Sequence, residues 1–223
     1  MAKKVQLRYG LRSARLSVVE NWAMGVSYSP PSLKGPFIIL YSGNIGLAHD
    51  FSLMERLLDR LSIHGASNIE FRFVGAGRRY REVEALFSRQ PHFRCSFGDY
   101  VQRDELNTLL ASASMFLVAQ SERSVGDILP SKFYSYLAAG RPLLLLGTRK
   151  SEIGEAIVDN DIGAVVECGD DVGPAAEDLL RFAARQHGYV AACRRAAELY
   201  ERRMGFRRSA EKIDAILMEV LQA

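Results

Sequence analysis

The sequence predicts an α/β domain built on a parallel, Rossmann-like sheet of six strands with helices on both faces. Three observations lead there. From residue 37 onward, short apolar runs alternate with segments whose apolar residues recur at helical spacing. One run, PLLLLG, is apolar at nearly every position, as a strand buried on both faces must be. Glycine and proline fall where strands give way to helices and where helices stop.

Taken in order, FIILYSG reads as the first strand. DFSLMERLLDRLSIHG follows as a helix with Phe51, Met54, Leu57, Leu58 and Leu61 on one side; Asp50 or Ser52 can cap its start and Gly65 can end it. IEFRFVG is the second strand, and RRYREVEALFSRQ a helix closed by Pro91. FRCSFG, DELNTLLASA and MFLVAQ repeat the strand, helix, strand pattern. The loop SERSVGDILP leads into SKFYSYLAAG, with Pro130 suited to a first helical turn and Gly140 to its end. PLLLLG, KSEIGEAIVDN and IGAVVE add a strand, a helix and a strand, and the remainder from Pro174 reads as helices. Such alternation implies right-handed βαβ units. Residues 1–36 differ: they hold Pro30, Pro31 and Pro36 with weak periodicity, and read as a linker or docking segment before a domain at 37–223.

Composition narrows the classes. The chain has 223 residues, 48% hydrophobic and 25% charged, which suits one globular domain. No apolar run reaches the roughly 18 residues of a membrane span, and MAKKVQLRYG lacks the apolar region of a secretory signal. A cytoplasmic protein is expected, with Cys95, Cys168 and Cys193 as reduced, mostly buried thiols. His49, His64, His92 and His187 show no metal-ligand spacing. A net charge of +3 does not argue for nucleic acid. Arg194, Arg195, Arg202, Arg203, Arg207 and Arg208 crowd the last segment, either as a solvated face balanced by Glu198, Glu201 and Glu211 or as a peripheral contact with an anionic membrane surface. The last helix carries an apolar stripe of Ile213, Ile216, Leu217, Val220 and Leu221, read as core or partner-domain contact before membrane anchor.

Ligands of open parallel sheets sit at the carboxyl ends of the strands, so the strand-to-helix loops are the candidate site. In YSGNIGLAHD, Gly43 and Gly46 allow close backbone approach, and His49 adds a polar side chain. In FVGAGRRYRE, Gly75 and Gly77 mimic part of a dinucleotide fingerprint, but Tyr80 stands at the third glycine. In GDILPSKFYSYLAAGRP, a carboxylate at Asp127, a turn through Ile128, Leu129, Pro130 and Ser131, a helix start and Lys132 lie within six positions. Amide groups and an ammonium can stabilise a diphosphate there, while the carboxylate accepts hydroxyl hydrogen bonds.

Together, in this order, these segments resemble the C-terminal domain of group 1 (family 4) glycosyltransferases of two-domain GT-B architecture. NWAMGVSYSP is similar to the family's interdomain segment, YSGNIGLAHD to its first loop, and LPSKFYSYLAAGRPLL to its donor-site helix; FGDYVQRDELNTLLASASMFLV matches the run between. The resemblance implies transfer of a sugar from a nucleoside diphosphate, usually UDP, with retention, without a bound metal or other cofactor, in cell-surface polysaccharide synthesis. It implies donor contacts at Gly43, Asn44, Gly46, His49, Gly75, Tyr100, Asp127, Ile128, Leu129, Pro130, Ser131, Lys132 and Ser135. Three departures stand out. The family's acidic pair falls on Asp127 and Ser135, so the second carboxylate is missing. Its loop arginine and lysine fall on Asn44 and His49. A complete enzyme also needs an acceptor domain, so an N-terminal partner is implied and the catalytic residues on that side are not in this sequence. Two other readings stay open: a non-catalytic interaction subunit that kept the fold, and a NAD-type dinucleotide domain.

Overall fold

The computed structural model describes residues 2–10, 16–169, 171–185 and 187–222. Its strands are β1 (Phe37–Ser42), β2 (Ile69–Val74), β3 (Arg94–Gly98), β4 (Met115–Ala119), β5 (Leu143–Leu146) and β6 (Gly163–Val166). All pair in parallel, in the order β3-β2-β1-β4-β5-β6. Each coincides with an apolar run read from the sequence. The helices are α1 (Ala2–Tyr9), α2 (Ser52–Ile63), α3 (Tyr80–Ser88), α4 (Leu106–Ala111), α5 (Lys132–Ala138), α6 (Glu152–Asn160), α7 (Gly173–Ala183), α8 (His187–Arg203) and α9 (Phe206–Leu221).

Successive side chains of a strand point to opposite faces, and both faces here are covered. Ile39, Tyr41, Phe71, Phe73, Leu117 and Leu144 enter a core shared with α2, α3 and α7. Leu40, Phe116, Val118, Leu143 and Leu145 enter a second core shared with α5, α6 and the later part of α8. This double burial is why β5 carries leucine at all four positions. At the start of α2, Asp50 is the candidate in contact: its carboxylate accepts the Ser52 N–H at 2.9 Å, while the residue before the helix is Phe51.

The N-terminal segment contains α1, which weak periodicity did not signal. Residues 16–36 then cross the domain as an extended strap without helix or strand. Glu20 O accepts from Ser209 Oγ at 2.8 Å, Ala23 N–H donates to Tyr200 Oη at 3.1 Å, and Gly25 O accepts from Asn107 Nδ2 at 2.6 Å. Further along, Ser29 O accepts from Arg141 Nη1 at 2.7 Å, and Arg185 donates to the carbonyls of Gly35 and Pro36, each at 2.8 Å. The strap is therefore held at both ends and in the middle.

The stripe of α9 is not core. Only Ser209 of this helix is buried, while Leu217 is 54% and Val220 69% exposed. Of the basic residues, Arg207 and Arg208 reach Glu211 at 3.1 and 3.6 Å, whereas Arg195 pairs with Asp161 at 2.7 Å. All three cysteines are free; Cys193 is buried and Cys95 partly so, and Cys168 is exposed, contrary to the expectation of burial. Burial pushes the Cys95 thiol up to about 12 and Cys193 to about 11, so both stay protonated at neutral pH. No helix among the described residues is long and apolar enough to cross a membrane.

Candidate functional site

Chain order reverses between β1 and β4, which lie side by side at the centre of the sheet. A parallel sheet opens a crevice at the carboxyl end of such a switch point. A cleft of about 560 Å³ occupies that place. Ser42 ends β1 there and Gly43 and Asn44 follow it, Gln120 follows β4, and Pro130, Ser131, Lys132, Ser135 and Tyr136 present the start of α5. Trp22, Ala23 and Met24 of the strap, with Arg103, Leu106 and Leu110, close the other side. No Asp or Glu belongs to this lining, whereas Lys132 and Arg103 do.

Lys132 is the centre of the chemistry. Its Nζ is shielded from solvent and has no hydrogen-bond partner. It sits 3.5 Å from the centroid of the Tyr41 ring, a cation–π contact that offsets only part of the lost hydration. Desolvation lowers its pKa to about 7. A Cβ built on Gly43 would lie 3.5 Å from the Lys132 Nζ, so the ammonium faces the glycine turn directly. His49 is lowered too, first by burial and then by the Lys132 charge, and its Nδ1 accepts the Gly46 N–H at 3.0 Å. Gln120 donates Nε2 to Ile128 O at 2.9 Å, but its Oε1 is buried without a partner. Among its buried atoms the cleft thus holds a lysine donor and an amide acceptor whose bonding capacity is unused.

The two glycine turns have different work. Gly43 N–H donates to Val74 O and Ile45 N–H to Ala76 O, both at 2.8 Å, so the turn after β2 packs on the turn after β1. A Cβ on Gly75 would meet Gly43 O at 2.3 Å, and one on Gly77 would meet Ile45 O at 2.4 Å. The GxG pair therefore serves backbone packing between two loops. Gly77→Ala combines that clash with a φ of +143° and is expected to cost roughly 2 kcal/mol or more, read as a lower urea midpoint.

Of the residues named from the sequence, Gly43, Asn44, His49, Ile128, Pro130, Ser131, Lys132 and Ser135 line the cleft. Gly46, Gly75, Tyr100, Asp127 and Leu129 do not. Gly46 supports His49, Gly75 supports Gly43, Leu129 packs against the second core, and Tyr100 is 57% exposed. Asp127 is an exposed residue whose carboxylate accepts from Lys4 Nζ at 2.6 Å; that hydrogen bond lowers its pKa. Sequence reasoning did not single out Arg103, Gln120, Ser42 or Tyr136. Tyr136 was hidden in an apolar helix pattern, yet its Oη accepts the Ser42 N–H at 2.8 Å and fixes the turn. Among the described residues, no group of three or more His, Cys, Asp or Glu could hold a metal ion.

No family model matches the sequence. It is 25% identical over 159 residues to the probable glycosyltransferase WbjE of Pseudomonas aeruginosa, covering 66% of this chain and 39% of that protein. It is 29% identical over 118 residues to the putative colanic acid biosynthesis glycosyl transferase WcaI of Escherichia coli, covering 53% of this chain and 28% of that protein. Among solved structures, S. aureus TarM with UDP among its ligands superposes at a TM-score of 0.70 and 11% identity, covering 95% of this chain and 41% of that one. The pneumococcal O-GlcNAc transferase GtfA, solved with UDP and GlcNAc, superposes at 0.69 and 11% identity, covering 99% of this chain and 44% of that one. The chain has the fold of a GT-B half-domain, and its sequence is similar to parts of two glycosyltransferases. The chain spans less than half of each of these proteins, and the two superpositions cover nearly all of it.

Proposed function

We propose that the GT-B domain binds the nucleoside diphosphate of a sugar donor, a UDP-sugar, in the cleft between β1 and β4, as the donor half of a glycosyltransferase of cell-surface polysaccharide synthesis. One observation carries the reading: the Lys132 Nζ is buried, unpartnered and aimed at a glycine turn in a cleft with no carboxylate in its lining. A buried cation without a partner is costly, and an incoming anion removes that cost. The reading is supported by two relatives named as glycosyltransferases and by two fold neighbours solved with UDP. No cofactor beyond the donor enters this reading, and charge on the departing diphosphate falls to protein cations and backbone amides.

Calorimetric titration with UDP and with uridine tests it. UDP is expected to bind more tightly than uridine, since only the diphosphate meets Lys132. Absence of UDP binding at millimolar ligand would overturn it. A second reading, a half-domain that kept the fold without the donor site, draws on Asp127 being engaged by Lys4; the same titration decides between the two.

Transfer further requires an acceptor side. We propose that the exposed stripe of α9 seats an acceptor-binding domain, whether in the same polypeptide or on a separate chain at the cytoplasmic face of the membrane. Leu217, Val220 and Leu221 are exposed at 54%, 69% and 80%, and Phe206 at the helix start meets the Trp22 ring edge-on. Leu217→Glu with Val220→Glu is expected to leave UDP affinity within about twofold and to abolish association with an acceptor-domain protein in analytical ultracentrifugation.

A further inference from the structure

We infer that Arg103 is the second cation of the diphosphate site, supplying from the loop before α4 the positive charge that Asn44 and His49 do not provide. The inference rests on the donor-site reading above and assigns a residue to it. Asn44 is neutral, and His49 is held toward its neutral form by burial and by Lys132. Lys132 alone cannot match a diphosphate, which carries at least two negative charges. Of the other cations near the turns, Arg78 and Arg123 do not line the cleft, and two more are committed elsewhere. Arg79 donates to His49 O and pairs with Glu82 at 2.7 Å, and Lys4 pairs with Asp127.

Arg103 is different. It lines the cleft with Lys132, and among the described residues no ion pair or hydrogen bond engages its guanidinium. Two carboxylates follow it in sequence: neither Asp104 nor Glu105 lines the cleft, and Glu105 accepts the Gln102 N–H at 3.1 Å, which fixes the loop. Asn107, one helical turn on, both donates to Gly25 O and accepts the Ser27 N–H at 3.3 Å, so the strap and the Arg103 loop are tied together. A guanidinium keeps its charge at every working pH and can present two parallel N–H donors to a phosphate. Lys132 from α5 and Arg103 from the opposite wall would then grip the diphosphate from two sides.

The test is calorimetry of the wild-type chain, Arg103→Ala, Arg103→Lys and Lys132→Ala with UDP and with uridine at two salt concentrations. Arg103→Ala is expected to weaken UDP by about tenfold or more, leave uridine within twofold and flatten the salt dependence of UDP binding. Arg103→Lys is expected to recover part of the loss. UDP affinity of Arg103→Ala within twofold of wild type, with Lys132→Ala still impaired, would overturn the role of Arg103 alone. Failure of the wild-type chain to bind UDP would overturn the donor-site reading itself. Equal losses for UDP and uridine would move Arg103 from phosphate to nucleoside contact and also overturn the inference.

Discussion

Replacing Lys132 with methionine is expected to stabilise the free domain while removing most of its affinity for a nucleotide sugar. The folded chain holds this lysine at a pKa of about 7, against 10.5 for an ordinary lysine. Between those values the unfolded chain binds the extra proton and the folded chain does not, so wild-type stability rises as pH climbs from 7 to 10.5. Below pH 7 the folded chain carries a buried charge at full cost. Methionine keeps the length and the contact with the Tyr41 ring without the charge. The variant is therefore expected to gain on the order of 3 kcal/mol at pH 6, with the gain shrinking toward pH 10. Urea unfolding at both pH values measures it; a variant less stable than wild type at pH 6 would contradict the burial argument. UDP-glucose affinity should fall about 30-fold or more, the loss expected when one partner of a shielded charge pair is removed. Wild-type affinity for the same ligand, whose phosphates stay ionised throughout, should be flat below pH 7. Above pH 7 it should weaken by about tenfold per pH unit, because binding must then take up a proton. A pH-independent affinity would place the ammonium away from the phosphates.

Arg141→Leu is expected to be the most destabilising single change. The side chain is fully buried, and among the described residues no carboxylate pairs with it. Its Nε donates to Ala113 O at 2.7 Å; Nη1 donates to Ser29, Ala139 and Gly140 carbonyls at 2.7, 3.0 and 3.1 Å; Nη2 reaches Ala111 O at 3.2 Å and Ser29 Oγ at 3.3 Å. Leucine would leave several buried carbonyls without donors, each costing about 1–3 kcal/mol, although the losses do not add in full. A loss of roughly 4 kcal/mol or more is expected by urea unfolding; a loss below about 1 kcal/mol would show that the carbonyls re-pair with one another or with water. Arg141→Lys should recover little, since an ammonium cannot fan three nitrogens across these acceptors. Trp22, the single tryptophan, lies in the strap that Ser29 anchors. Its fluorescence should shift to longer wavelength at lower urea than the helical circular dichroism changes.

The sheet was legible because every strand carries its own signal: an apolar run ending at a glycine or polar turn, as in FIILYSG and PLLLLG. Lys132 was legible because a cation beside a helix start is a local pattern. Three things were not. The strap has no period, and its place is set by hydrogen bonds to Asn107, Arg141 and Tyr200, far away in the chain. Asp127 reads as a ligand to a hydroxylated sugar until Lys4, 123 residues away in sequence, is found on its carboxylate. Arg103 looks like any surface arginine in VQRDEL, and only the fold brings it into one cleft with the start of α5. For a related reason the sequence left α9 open between core and partner-domain contact: periodicity shows that a helix has an apolar face but not which body covers it.

The strap also sets where the sequence can be cut. A recombinant version beginning at Phe37 would contain the whole sheet, yet it would strip acceptors from Arg141 and Arg185 and open the wall formed by residues 22–24. Its refolding yield and its nucleotide affinity would both be expected to suffer. The shortest dependable starting point lies upstream of Glu20, whose carbonyl ties the beginning of the crossing to α9.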